Sequence, residues 1–582
     1  LSLALSILND PSRAQTAELA ARFDNEHVLA RLRSADRGSD AQLARLGDPL
    51  WGVVDLPLSA AAPGAEWPAQ IAGEIAAIRE RIHAAHGTSI RFLIWAGMGG
   101  SIEDKSAYEA AGLLKGGPRF YALDSTDPKK LKSIIHDMQE RSHLPMSELL
   151  QSTLVVGMAM GMTSYEPVVN LEKLAVLFEK NNVAAAANFL CLTLPGSLLD
   201  QFAEKQGYAR TPIQLDDRNT TAGRHSAPLT RGSLYPLALA GVDLQAWIEA
   251  ANLSEDTIRT AWKLAAFLHA QGVAGRDKAT LLLPRNWSGG ALWTKQDFEE
   301  SLGKSESLGI KIVIHERVKN RFYQKPGNPK QSRCFLAVQV RGESHPEADA
   351  ITDLRHMKYP IAVVSFPRHP LLATWMQFVH YVVFGLAYLR EMNFVTQPSV
   401  ELYKSIAAEI FANPGDAWKS LVDAQERWTP AVYVDALRSA IRQGATYAEL
   451  TFFGDMRYDE AGKHVRRILE VAADRVFRMP FKMPVDIHEG PAMNHSYHEM
   501  IIGRGACFST LIAAARQARF PGAGYEPDYH RAQFLATRAA LERRGRPVVP
   551  LLIKDLEDDS LAALERFFNE VASLLFKTDS SN

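Results

Sequence analysis

The stretch RFLIWAGMGGSIEDKSAYEAAGLL, Arg91 to Leu114, runs from an apolar segment through Gly-Met-Gly-Gly-Ser into residues with helical apolar spacing. This is the pattern of a buried parallel strand that turns through glycines into a helix. The first backbone N–H groups of a helix lack intrahelical partners, and the helix dipole favours negative charge beside them. Gly99, Gly100 and Ser101 are therefore a candidate cradle for an anion, most often a phosphate. The same glycines, with Gly97, equally let the helix pack tightly on its strand.

Outward from this turn, short apolar runs recur between helical segments. FYALDS, TLVVGM and NFLCLTL follow in one group; TLLLP, IKIVI, FLAVQV, IAVVSF, AELTFF and VVPLLI form a second. Such alternation predicts an α/β fold of parallel sheets with helices on both faces, in which ligands gather at the carboxyl ends of strands. Residues 1–84 read as a helical lead-in, 85–245 as a first α/β domain, 246–270 as a helical connection and 271–582 as a second α/β domain with C-terminal helices.

With 65 basic and 66 acidic residues in 582 and a pI near 7.1, the chain lacks the positive excess of a general nucleic-acid or membrane-surface binder. Cys191, Cys334 and Cys507 are too scattered for a compact zinc motif, and an odd number argues against a disulfide framework. No apolar run reaches the roughly 20 residues of a membrane-spanning helix, and LSLALSILND lacks a basic leader. The expectation is a cytoplasmic protein with buried thiols, without nucleic-acid or membrane partners.

Four further stretches carry chemistry. In NTTAGRHSAPLTRG, Arg224 follows a glycine and precedes His225 and Ser226, which suits a guanidinium on a turn facing an anion or a solvated loop arginine. In DFEESLGKSESLGIKIVI, Glu299 and Glu300 precede Gly303, Lys304 and a strand; a helix-ending glycine with surface charges has the same pattern. In TQPSVELYKS, Lys404 lies seven residues after Gln397, a place where a solvated helix lysine is ordinary. HEGPAMNHSYHEM crowds His488, His495 and His498 with two glutamates, but the spacing does not match the helical i, i+4 zinc motif, so no metal is assigned.

Taken in this order, the stretches resemble the phosphoglucose isomerase family with its two sugar-isomerase domains. GMGGS is similar to its first phosphate turn, GRHS before LYPLALAGVD to its arginine loop, ESLGKSESLGI to its glutamate motif and QPSVELYK to its late lysine helix. ALDSTDP, LPGSLLDQFAEKQGY and the tail EGPAMNHSYHEM with RRGRPVVPLLIKD further resemble the isomerase half of bacterial bifunctional transaldolase and isomerase proteins. The resemblance spans roughly residues 85 to 570, and no transaldolase barrel fits beside the two α/β layers.

The resemblance implies aldose to ketose conversion of a hexose 6-phosphate, glucose 6-phosphate to fructose 6-phosphate, through a cis-enediolate. It needs no cofactor, and a homodimer is implied. It makes Glu300 the base that moves a proton between C2 and C1, and Arg224 the stabiliser of the enediolate charge. Lys404 and a histidine would open the pyranose ring, Gln397 would orient the phosphate or Lys404, and Gly99, Gly100, Ser101, Thr163 and Ser164 would hold the phosphate. For the histidine, His369 and His380 are candidates, and His495 is preferred because NHS matches the bifunctional relatives. His380 lies on an apolar helix, as core residues do.

One departure stands out. Where the family has Ser-Lys-Ser-Gly-Thr-Thr-x-Glu-Thr, this chain reads GMAMGMTSYEPVVN, with Met158, Met160 and Met162 and only Thr163 and Ser164 as hydroxyl donors. This leaves open another sugar phosphate as substrate, or a sugar-phosphate sensor of the same fold without catalysis. A glutamine-dependent aminotransferase needs an N-terminal cysteine, and the first cysteine is Cys191.

Overall fold

The computed structural model describes residues 3–34, 36–47, 66–215, 227–304, 309–325, 328, 332–341, 348–367, 372–411 and 414–579. Fourteen strands are described. They are β1 (Ala4–Leu8), β2 (Phe92–Ala96), β3 (Arg119–Leu123), β4 (Thr153–Met158), β5 (Phe189–Thr193), β6 (Ala209–Pro212), β7 (Lys278–Leu282) and β8 (Lys311–Val313). They continue with β9 (Arg333–Val340), β10 (Ile361–Phe366), β11 (Tyr447–Phe453), β12 (Val485–Gly490), β13 (Cys507–Ala514) and β14 (Val548–Ile553).

The first sheet has the order β3-β2-β4-β5-β6 and is parallel throughout. Its strands read as continuous apolar runs because both faces are covered. Along β2, Phe92, Ile94 and Ala96 enter one core and Leu93 and Trp95 the opposite one, the period of two that a strand imposes. From β2 the chain crosses to β3 on one side and then to β4 on the other. The order reverses between β2 and β4, so their carboxyl ends open the crevice in which such folds bind ligands.

The region from 271 onward carries two sheets. One, β1-β10-β9-β7-β8, is parallel except for β1; the other, β12-β11-β13-β14, is wholly parallel. The expectation of a purely helical lead-in is corrected here. β1 runs antiparallel along the edge of β10, with Ala4 opposite Ser365 and Leu8 opposite Ile361. Its side chains are exposed or half-buried, so it shows none of the buried apolar character that marks the central strands. The lead-in also joins the main core, where Phe23 stacks on Trp262 at 4.9 Å.

The helix Leu372–Arg390 bears on the expectation that no segment spans a membrane. Its 19 residues are long and apolar enough to cross a membrane by length and composition, but 94% of its apolar window is buried inside the fold. It is a core helix, packed on the helix Glu255–Val273 and on the helix Gly290–Leu302. All three cysteines are free and buried.

The two later sheets meet at their edge strands, and charges fill the contact. Lys311 of β8 pairs with Asp486 of β12, and Lys295 bridges Asp486 at 2.7 Å and Glu299 at 2.7 Å. Glu299 also accepts from the Ile312 N–H at 2.8 Å and lies 3.1 Å from Lys311. All four side chains are buried. Burial opposes both charges, yet the facing cations hold Asp486 far below the usual carboxylate range, and Asp486 with Glu299 holds Lys311 well above the usual ammonium range. Breaking one partner of such a group is costly because a charge is left uncompensated. Lys311→Met should lower the unfolding free energy by about 3–5 kcal/mol in urea at neutral pH. Adding Asp486→Leu, which leaves Lys295 with Glu299, should restore part of the loss. If Lys311→Met unfolds like wild type, the network is not what joins the two edges.

Candidate active site

The glycine turn after β2 folds as a short 3-10 helix, Gly99–Ser101, leading into the helix Glu103–Ala110. Gly99 takes the left-handed φ of +51° that favours glycine. A Cβ there would lie 2.3 Å from the carbonyl oxygen of His495 and 3.2 Å from Gln296 Nε2. The absent side chain thus lets three segments touch: the turn after β2, the loop after β12 and the helix Gly290–Leu302. Ser101 is buried, and its carbonyl accepts from the Trp95 indole at 3.0 Å, which ties the turn to its own strand.

Glu300 projects from that helix next to Gln296, whose amide donates to Glu300 Oε2 at 2.9 Å. Glu300 is buried, the setting that its expected role as a base calls for. Its neighbour Glu299 points the other way into the edge network, so the adjacent glutamates have separate environments. Glycine serves again at the helix end, where a Cβ on Gly303 would fall 2.4 Å from Met500 Cα.

His495 lies on the 3-10 turn Ala492–His495 after β12. Its Nε2 bonds Glu166 Oε1 at 2.8 Å, and the Tyr403 ring packs edge-on at 5.9 Å. Glu166 opens the helix Glu166–Lys180 after β4 and accepts a second bond from Gln533 Nε2 at 3.2 Å. Burial alone would raise the Glu166 carboxyl, but His495, their hydrogen bond and the Lys404 charge hold it at about 2. Glu166 is absent from the residues picked from the sequence. The signal was available, because Thr163-Ser164-Tyr165-Glu166 runs parallel to the Thr-Thr-x-Glu of the family loop.

Lys404 extends from the helix Pro398–Phe411, partnered with Glu401 at 2.8 Å. A Cβ on Gly161 would sit 3.9 Å from Lys404 Nζ and 3.0 Å from Ser164 Oγ, so the lysine stands beside the methionine-bearing loop. In that loop Thr163 is exposed, Ser164 half-buried, Met158 buried and Met162 48% exposed. Gln397 is half-buried just before the helix, and its carbonyl accepts from the Glu401 N–H. Gly100 is half-buried within the turn. Arg224, His225, Ser226 and His369 lie outside the described residues.

The other histidines are drawn apart. His380 is wholly buried, with Nδ1 3.1 Å from Asp297 and Nε2 2.5 Å from the Ala227 carbonyl. His498 bonds Glu449 at 3.0 Å, and His488 lies 3.5 Å from Asp486. His488, His495 and His498 therefore face three different carboxylates, and among the described residues no group of metal-ligating side chains converges.

The chain is 24% identical over 252 residues to a glucose-6-phosphate isomerase of Prochlorococcus marinus, covering 40% of this chain and 43% of that protein. It is 26% identical over 271 residues to the glucose-6-phosphate isomerase of Thermosynechococcus vestitus, covering 43% and 49%. The chain is related to the phosphoglucose isomerase family. It spans less than half the length of these two relatives. No family model matches it. The crystal structure of a hypothetical protein from Thermus thermophilus shares the fold over 70% of this chain and 100% of that one, with a TM-score of 0.52 and 21% identity. Within this phosphoglucose isomerase relative, the stretches resembling the glutamate motif, the first phosphate turn and the tail histidine come from distant parts of the chain to one place.

Glu499 supports this site from behind. Its Oε2 accepts from the Ser399 and Val400 N–H groups at 2.9 and 3.0 Å and so caps the helix that carries Lys404. Burial pushes the Glu499 carboxyl up to about 7, against the pull of those N–H groups and of Lys304, with Glu300 adding to the rise. The folded protein then holds a proton that the unfolded chain releases near 4.5. The resulting stability is present below about 4.5 and lost as the pH rises through about 7. Glu499→Gln should not undergo this loss. Its unfolding free energy relative to wild type should rise across that window by up to about 3 kcal/mol. A difference that is constant with pH would mean Glu499 is not protonated in the fold.

Proposed function

We propose that this chain is a sugar-phosphate isomerase that interconverts glucose 6-phosphate and fructose 6-phosphate by proton transfer through a cis-enediolate. The observation that carries the reading is the meeting of Glu300 and the His495–Glu166 pair at the glycine turn Gly99–Ser101. The relatives named glucose-6-phosphate isomerase support it, as does the position of the turn at the crevice between β2 and β4.

Each role follows from its surroundings. Glu300, buried and held by Gln296, takes the C2 proton and returns it to C1. Glu166 accepts from His495 Nε2, which leaves Nδ1 to exchange a proton with the ring oxygen as the pyranose opens. Glu166 is a positioning residue: its negative charge orients the imidazole through the hydrogen bond to Nε2. Lys404, beside Gly161 and Ser164, supplies positive charge for the phosphate, together with the backbone of Gly99–Ser101. Arg224, by resemblance, would hold the enediolate. Proton transfer of this kind calls on neither hydride carrier nor electron sink.

A second reading, a binder of sugar phosphates without turnover, is favoured by Met162, exposed in the loop where hydroxyls would contact phosphate. The base separates the two. Glu300→Gln should lower turnover in a coupled assay with glucose, mannose and galactose 6-phosphates by about 100- to 10,000-fold. Binding of a phosphorylated sugar acid should remain. Exchange of the C2 proton with solvent should vanish in step, and wild-type exchange in Glu300→Gln would remove Glu300 from the mechanism. Absence of turnover in wild type with all three sugars would favour the binder.

Glu166→Gln keeps the shape of the pair but not its charge. Its kcat should fall about 100-fold with KM little changed, and the limb of the pH profile that reports His495 should move. An unaltered pH profile would mean that His495 does not act as the acid.

A further inference from the structure

Eight large apolar side chains stand exposed among the described residues, and four of them gather around the methionine loop: Met162, Tyr165, Leu198 and Phe411, each between 37% and 48% exposed. Apolar residues exposed singly are ordinary, whereas a contiguous group marks a surface that something covers. These four are joined. The Leu198 N–H donates to the Met162 carbonyl at 3.0 Å, which sets the start of the helix Leu198–Gln206 against the loop. Tyr165 meets Phe411 at 6.4 Å between ring centroids and Tyr529 at 5.7 Å, and Phe411 lies edge-on to Tyr529 at 4.8 Å.

The group is continuous with the candidate site. Met162 follows Gly161 and Tyr165 follows Ser164, the two residues beside which Lys404 stands. Phe411 ends the helix that carries Lys404, about two turns further on and so on the same face. Tyr529 faces the His495–Glu166 pair: burial and the Glu166 charge raise its phenol above the ordinary value. A cation whose one ion pair, with Glu401, is solvent-exposed thus stands in a rim of carbon. Within that rim only the Tyr165 phenol is a strong hydrogen-bonding group. Sugar hydroxyls laid across it would lose water and find almost no partners, whereas hydrocarbon laid there is removed from water at a gain.

We propose, on the reading of Lys404 and its loop as the phosphate site, that the ligand is a sugar phosphate bearing an apolar substituent, which lies across Met162, Tyr165, Leu198 and Phe411 while Lys404 holds the phosphate. An unsubstituted hexose 6-phosphate binds without the contribution of the rim.

The test measures binding of methyl, butyl, hexyl and phenyl phosphate to the full chain by titration calorimetry. In wild type the affinity should rise about two- to fourfold for each added methylene, and phenyl phosphate should bind more tightly than methyl phosphate. Met162→Ser and Phe411→Ser, which replace exposed side chains and leave the core intact, should each flatten the series. Val432→Ser, at an exposed position of the helix Pro430–Arg442, should keep it. Lys404→Ala should weaken every member by the same factor. An affinity independent of chain length in wild type would overturn the proposal, as would a gain per methylene that survives both rim substitutions. Unchanged affinities in Lys404→Ala would place the phosphate elsewhere and overturn it too. If the rim substitutions instead convert a dimer to a monomer in sedimentation and leave the gain intact, a second copy covers the rim and the proposal falls. Turnover is read separately: no isomerisation, with the gain per methylene retained, counts against the isomerase and supports the rim as a ligand site.

Discussion

A helix buried on every side but composed largely of polar residues is stable only if each side finds its own partners, and the helix Gly290–Leu302 is in that position. Thr294, Lys295, Gln296, Asp297, Glu299, Glu300 and Ser301 are all buried. A helix enclosed by protein is ordinarily apolar all round. Here the Trp375 indole bonds Thr294 at 3.0 Å, His380 meets Asp297, Lys295 and Lys311 meet Glu299, and Gln296 meets Glu300. Each pairing fixes the helix about its axis, and an unpaired member would cost more than the pairing returns. The direction of Glu300 is therefore set by residues on the other faces.

The same helix explains why segments remote in sequence converge. On one side it meets β8 and β12 through the charge network, so the loop that leaves β12 has a fixed starting point. That loop carries His495, whose carbonyl occupies the space a side chain on Gly99 would fill. The first sheet supplies the turn after β2 and the start of the helix after β4, and Glu166 on that helix reaches His495. Two sheets thus present their carboxyl ends to one volume, with the polar helix as the wall between them.

Much of the fold was legible. The runs at β2 to β5, β7 to β11 and β14 are apolar enough to read as buried parallel strands, and their spacing with helices implied the layers. β1 was missed because its side chains alternate at an edge, and β12 because VDIHEG carries Asp486, His488 and Glu489 in a strand buried by charge pairing rather than by apolar contact. In the site, Glu300, Lys404 and His495 stand in stretches whose order suggested them. Glu166 is less legible because the loop before it, GMAMGMTSY, has lost most of the hydroxyls of the family pattern. Gln296 could not be read at all, since its role depends on one helical turn and on the side of the helix that faces Gly99. The histidine cluster illustrates the converse: three residues within a short stretch face three carboxylates, because a strand, a 3-10 turn and a helix start point them differently.

The methionine loop can be weighed on the same terms. Each hydroxyl lost from a phosphate contact removes roughly 1.5–3 kcal/mol at most. An ammonium about 4 Å from a phosphate oxygen contributes about 4 kcal/mol of Coulomb energy at a dielectric near 20, before desolvation. Lys404 stands beside Gly161 and Ser164, and its present partner Glu401 is 60% exposed, so that ion pair holds the lysine only weakly. Turning from Glu401 to a phosphate bound as proposed would therefore cost Lys404 little and would offset one or two missing hydroxyls. The loop gains in exchange an apolar surface at Met162, which favours whatever part of a ligand lies beyond its charged group. On the proposed reading, the lysine on the helix capped by Glu499 carries more of the phosphate affinity than the altered loop, and the strength of binding depends on how firmly that cap holds the helix.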